Sequence, residues 1–175
     1  GFDDLVVSSP GEGNGRVYVL YGPLRDIYLS LEYDASFEGT SSDVLDDLGL
    51  GTQVELVDLN GDNQKDIVLA SPGSNELGMV YVIYSPENDR YDGDYSISSI
   101  VDATISGNEI DTQIGCRLSS AGDVNDDRLE DLLISTCTER DDTSGFATLL
   151  YGQETNLMSG EYTLDNADGI EAGVS

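Results

Sequence analysis

Three passages of this chain follow one template: FDDLVVSSP (2–10), QKDIVLASP (64–72) and LEDLLISTC (129–137). In each, an aspartate is followed by four apolar or small residues, and the anchors Asp4, Asp66 and Asp131 stand 62 and 65 residues apart. A second element trails each copy, as GRVYVLYG (15–22), GMVYVIYS (78–85) and GFATLLYG (145–152). A third reads ASFEGT (35–40) and ATISGN (103–108), with a weaker echo in YTLDNA (162–167). A fourth reads LGLGTQVEL (48–56) and TQIGCRLSS (112–120), and starts again as GIEAGVS (169–175). Elements recurring in one order at one period mean repeated units that bury their faces against one another.

Each element is short, rich in Val, Ile, Leu, Tyr and Thr, and bounded by Gly, Asn, Asp or Pro, which are strand and turn signals. VYVLY and VYVIY are apolar on both faces, so each such strand needs a neighbouring layer on either side. No sustained 3.6-residue stripe appears, and helix should be scarce. The expected fold is all-β: β-propeller blades of four antiparallel strands, favoured over the turns of a β-solenoid by the four strands per repeat. Blade 1 covers 1–40 and lacks its first strand, blade 2 covers 48–108, blade 3 covers 112–167, and 169–175 starts another. Propellers close with 4–8 blades, so an incomplete propeller of about three leaves open apolar faces and edges. The expected partners are the remaining blades or other protein chains. A homo-oligomer is one such arrangement, because GIEAGVS is the kind of strand that blade 1 lacks.

Between the first and second strands of a repeat lies DLNGDNQKD (58–66). Asp58, Asn60, Asp62, the carbonyl of Gln64, and Asp66 occupy positions 1, 3, 5, 7 and 9. Oxygen ligands on alternate residues of a tight loop can turn toward one centre, and a hard cation such as Ca2+ takes six to eight oxygens. Asp123, Asn125, Asp127, the carbonyl of Leu129, and Asp131 repeat the spacing, while the first copy begins at the sixth position and keeps Asp4 as its ninth. Metal-free Asx-rich turns are the alternative, but turn chemistry does not ask for carboxylates at positions 1, 5 and 9. An EF-hand is excluded, because its glutamate at position 12 is replaced by Leu69 and Ile134 inside apolar strands. The sixth position favours a left-handed backbone; Asn63 tolerates this better than Arg128, for which it costs roughly 1 kcal/mol. The loops are a full repeat apart in sequence and are expected to bind independently.

Composition narrows the function classes. With 35 acidic against 7 basic residues and a formal charge of −28, the chain repels nucleic acid and anionic membrane surfaces. It contains no histidine, which removes imidazole-based metal sites and acid–base schemes, and Lys65 is its only lysine. No run approaches the length of a membrane span.

These residues resemble the FG-GAP repeats of the integrin α-subunit propeller and of related extracellular and bacterial proteins. The resemblance lies in DLNGDNQKDIVLASPGSNELGMVYVIY (58–84), GDVNDDRLEDLLIST (122–136) and GFDDLVVSSPGEGNGRVYVLYG (1–22). It implies four-stranded blades with Ca2+ in the loops between first and second strands. It also implies a non-enzymatic role in adhesion, matrix or filament assembly, extracellular or at the cell surface. The Gly-Ala-Pro of the family reads Ser9-Pro10, Ala70-Ser71-Pro72 and Ser135-Thr136-Cys137 here. The alternative is an accessory or catalytic propeller domain of a secreted hydrolase of glycosidase or phospholipase type.

Cys116 lies 11 residues before Asp127, the middle of the second loop, and Cys137 lies 10 after it. In a hairpin turning there the two stand nearly opposite, close enough for a disulfide; two buried thiols are the alternative. A disulfide suits an oxidising compartment.

Overall fold

A computed structural model of the chain describes residues 2–24, 32–40, 49–86, 90–107, 113–137, 145–154 and 158–164. Among these residues it is nearly all-β. The strands are β1 (Leu5–Ser9), β2 (Arg16–Leu20), β3 (Ala35–Glu38), β4 (Gln53–Val57), β5 (Asp66–Ser71) and β6 (Met79–Ile83). They continue with β7 (Gly93–Ser96), β8 (Ala103–Gly107), β9 (Ile114–Gly122), β10 (Asp131–Thr136), β11 (Ala147–Leu150) and β12 (Gly160–Leu164). The one-turn helix α1 (Ile97–Ile100) follows β7.

Three sheets reproduce the repeat. β4, β5, β6 and β8 form one complete antiparallel blade. β1, β2 and β3 are its second, third and fourth strands in the preceding copy, and β9, β10 and β11 its first three in the following one. The segment 169–175 lies outside the described residues.

Alternation along the strands builds two cores. Val17, Val19, Ala35 and Phe37 of the first sheet pack against Ile67, Leu69, Tyr81 and Ile83 of the second. The opposite face of the second sheet, carrying Val68, Ala70, Val80, Val82, Ala103 and Ile105, packs against Leu118, Leu132, Ile134 and Leu150 of the third. VYVIY is apolar on both faces because Tyr81 and Ile83 face one neighbour while Val80 and Val82 face the other. Leu133, the counterpart of Val68, lies on the far side of the third sheet and is exposed there.

The sequence reading places YTLDNA (162–167) as a fourth strand of the third blade, and the structure places its described part, residues 162–164, elsewhere. β12 runs parallel to β8 of the preceding blade, with Tyr162 opposite Ile105. β7 does the same one repeat earlier, running parallel to β3 with Tyr95 opposite Phe37. GEYTL (160–164) is therefore the counterpart of GDYSI (93–97), a strand that the third and second blades each lend to the outer edge of their predecessor. Ile97 and Leu164, at matching places, are buried in the two inter-blade cores.

Cys116 and Cys137 form a disulfide with Cα atoms 5.0 Å apart. Arg117 pairs with Ser135, but Thr136 pairs with Ile114, so Gly115 and Cys116 form a bulge in β9 beside Cys137. The bond encloses a segment whose ends are 21 residues apart. Reducing it is expected to cost on the order of 3 kcal/mol in the chain-entropy view. Thermal melts with and without reductant would show this as a drop of roughly 6–12 °C. Equal melts, with mass spectrometry confirming reduction, would show the bond to be dispensable.

Candidate metal centre

The two acidic loops close the β4–β5 and β9–β10 hairpins and share most of one hydrogen-bond scaffold, the first aspartate accepting from the fourth-position amide in one and the fifth-position amide in the other. In the first, Asp58 accepts from the amides of Gly61 (2.7 Å) and Asn63 (2.9 Å). Asn60 donates from Nδ2 to Asp62 (3.0 Å), and Asp62 accepts from the Gln64 amide (2.7 Å). In the second, Asp123 accepts from the amides of Asp127 (3.0 Å) and Arg128 (2.8 Å). Asn125 donates to Asp127 (2.8 Å), which accepts from the Leu129 amide (2.8 Å). The backbones match too: Gly61 and Asp126 have φ of 75° and 64°, and Asn63 and Arg128 have 66° and 76°. Arg128 thus adopts the left-handed conformation expected of position six.

The ninth-position aspartates hold the blade together. Asp66 is buried and accepts from the amides of Leu59 and Ser85, both at 2.9 Å. Asp131 is buried and accepts from Val124 (2.8 Å) and Gly152 (3.0 Å). Asp4 accepts from Gly22 at 2.8 Å. Ser85, Gly152 and Gly22 each follow a third strand, so this carboxylate ties the loop to the end of the strand two places on.

The donor set suits a hard cation, being carboxylate, amide and carbonyl oxygen throughout. Asp58, Asn60 and Asp62 lie together, as do Asp123, Asn125 and Asp127, with Asp66 and Asp131 behind them. Among the described residues, no three acidic side chains converge tightly enough to grip an ion as they stand. The carboxylates accept the loop's own N–H groups instead. Asp62 Oδ2 accepts from both Asn60 and Ser85. Both oxygens of Asp58, Asp123 and Asp127 and the other oxygen of Asp62 each accept one such bond and keep a further lone pair, so the residues fit a cation once their side chains turn inward.

Burial, foremost, pushes the Asp66 carboxyl up to about 6, and the nearby charges of Asp62 and Asp58 add to this against its two amide bonds. A carboxyl whose folded pKa lies above its unfolded value binds more protons when folded, so its stabilisation is present below about pH 4 and is lost as pH rises to about 6. Without divalent cations, the stability of the wild type relative to Asp66→Asn should therefore fall by on the order of 2–3 kcal/mol between pH 4 and 7. Urea unfolding in chelator at both pH values checks this, and a constant difference would contradict it.

The loops touch, although they lie a full repeat apart in sequence. Glu130, between positions 7 and 9 of the second loop, accepts from the Asp58 amide (3.1 Å) and from Lys65 Nζ (2.6 Å to each oxygen) of the first. Lys65 foremost, with the Asp58 amide, holds the Glu130 carboxyl below its usual range. The Glu130 amide donates to the Asp58 carbonyl (3.4 Å), and the Gln153 amide donates to that of Leu59 (2.6 Å). A Cβ on Gly61 would sit 2.5 Å from Leu129 Cδ2, so the loops also touch through apolar atoms. Glu130 carries no sequence mark of this role; Lys65, as the only lysine, carries a faint one.

Comparison with known proteins agrees with this architecture. The FG-GAP repeat model matches residues 50–83, which run from the start of the β4–β5 hairpin through its loop to the end of β6. A phosphatidylinositol-glycan-specific phospholipase D of Dictyostelium discoideum is 28 % identical over 198 aligned positions, covering 96 % of this chain. The chain spans about a fifth of that relative's length, 20 %. Residues 50–83 thus match an FG-GAP repeat, and the complete blade of β4, β5, β6 and β8 is built around them.

Proposed function

We propose that this chain is a calcium-binding β-propeller module, not itself an enzyme, serving adhesion, matrix or filament assembly outside the cell or at its surface. The observation that carries the reading is the duplicated scaffold: Asp58, Asn60, Asp62, Gln64 and Asp66, and Asp123, Asn125, Asp127, Leu129 and Asp131, present the same oxygens on the same backbone. A divalent cation would convert the mutual repulsion of those carboxylates into attraction. Asp4 is the ninth-position ligand of a third such loop. The disulfide supports an oxidising compartment, and among the described residues no helix is long and apolar enough to cross a membrane. The partners are further propeller blades or other chains, a second copy included, meeting exposed apolar positions such as Leu133 and Leu5. The charge of −28 disfavours nucleic acid as a partner.

Extracellular calcium modules bind with Kd around 10⁻⁴–10⁻³ M. At tenfold excess over Kd each loop would add about 1.4 kcal/mol, and the two together roughly 5–10 °C in melting. An unchanged melting temperature after exhaustive chelation would overturn the calcium reading.

The phospholipase D match favours a second reading, an accessory propeller domain of a larger secreted hydrolase. Hydrolysis of phospholipid or glycan by the purified chain, lost on mutating an acid outside the loops, would instead make the chain catalytic.

A further inference from the structure

We propose that Glu130 couples the two loops, so that filling one strengthens cation binding at the other; the inference rests on the calcium reading above. Glu130 lies between Leu129 and Asp131, the seventh and ninth positions of its own loop, and makes a reciprocal pair of hydrogen bonds with Asp58, the first ligand of the other. Its carboxylate also takes Lys65, which lies between the seventh and ninth positions of that loop. The seam therefore joins ligand-bearing backbone to ligand-bearing backbone with one residue between. Turning Asp58 onto an ion fixes its amide and carbonyl, and both of those groups hold Glu130. A fixed Glu130 orders the Leu129 carbonyl and Asp131 on either side of it. The second ion then meets a loop whose ordering cost is partly met, which is positive coupling, and linkage makes it equal in both directions. Lys65 and Glu130 are partly exposed, so the coupling belongs at the low end of the usual range, about fivefold in affinity.

The test is a Ca2+ titration of the oxidised chain followed by amide NMR, reading the first loop at Gly61 and Asn63 and the second at Asp126 and Arg128. Asp127→Ala, which removes a ligand of the second loop, is expected to weaken Ca2+ binding at the first about fivefold. In a Glu130→Ala background the same change should move first-loop affinity less than twofold, and Lys65→Met should give an intermediate result. Unfolding curves verify that each variant is folded. Calcium binding at both loops with first-loop affinity indifferent to Asp127→Ala, or weakened when the second loop fills, would overturn the coupling while leaving the calcium reading intact. Coupling undiminished by Glu130→Ala would equally overturn it. Amide signals unmoved at millimolar Ca2+ would remove both readings together.

Discussion

Replacing Asp131 by alanine is expected to destabilise the protein by roughly 3 kcal/mol even with every divalent cation chelated. The side chain is fully buried and holds the amides of Val124 and Gly152, so alanine leaves two donors without this partner. Each buried donor left unsatisfied costs about 1–3 kcal/mol. The position reads as a cation ligand from its spacing, yet its hydrogen bonds give it a structural role that needs no cation. Asp127→Ala is the control, because Asp127 is exposed and bonds only within its loop among the contacts described. Urea unfolding in excess chelator should show a large loss for Asp131→Ala and less than about 1 kcal/mol for Asp127→Ala. Equal losses would show that the ninth position has no special part in the metal-free fold.

Gly78→Ala is expected to cost about 4 kcal/mol, combining left-handed strain of roughly 1–2 with overpacking of roughly 1–3. Gly78 has φ of 75°, which an L side chain rarely adopts. A Cβ there would also fall inside the contact distance of the Ile114 backbone nitrogen and oxygen, and backbone yields less readily than a side chain. Gly15 stands in the same relation to Leu50 one repeat earlier, with φ of 88°. This explains why the third strand of these two repeats opens with glycine: the next blade crosses directly over it. Gly11→Ala is the matched control, since φ there is not in the left-handed range and nothing lies within 4 Å of its Cβ position. A fall of roughly 8–16 °C for Gly78→Ala against almost none for Gly11→Ala is the expected melting result. Comparable melts for both would refute close blade-to-blade contact at this seam.

The repeat period, the hairpins, the nine-residue acidic loops and the Cys116–Cys137 pair were legible in the amino-acid order. All four are local: alternation along a strand, turn residues between strands, and positions counted outward from one loop. The left-handed backbone at Asn63 and Arg128 belongs with them, because a nine-residue loop of this pattern needs it wherever it sits. Three features came only with the tertiary structure. β7 and β12 join the edge of the preceding blade, and their short GDYS and GEYTL runs look no different from strands kept at home. Asp66 and Asp131 are tied to the end of the third strand as well as to their loops, which no count of loop positions reveals. Glu130 meets Asp58 from 72 residues away. The second depends on how strands two and three pair within a blade, the first and last on how one blade lies against the next, as in the packing of Val80 and Val82 on Leu132 and Ile134. Such packing brings together residues that share no local pattern, so a sequence can name the blades without saying which of their loops will touch.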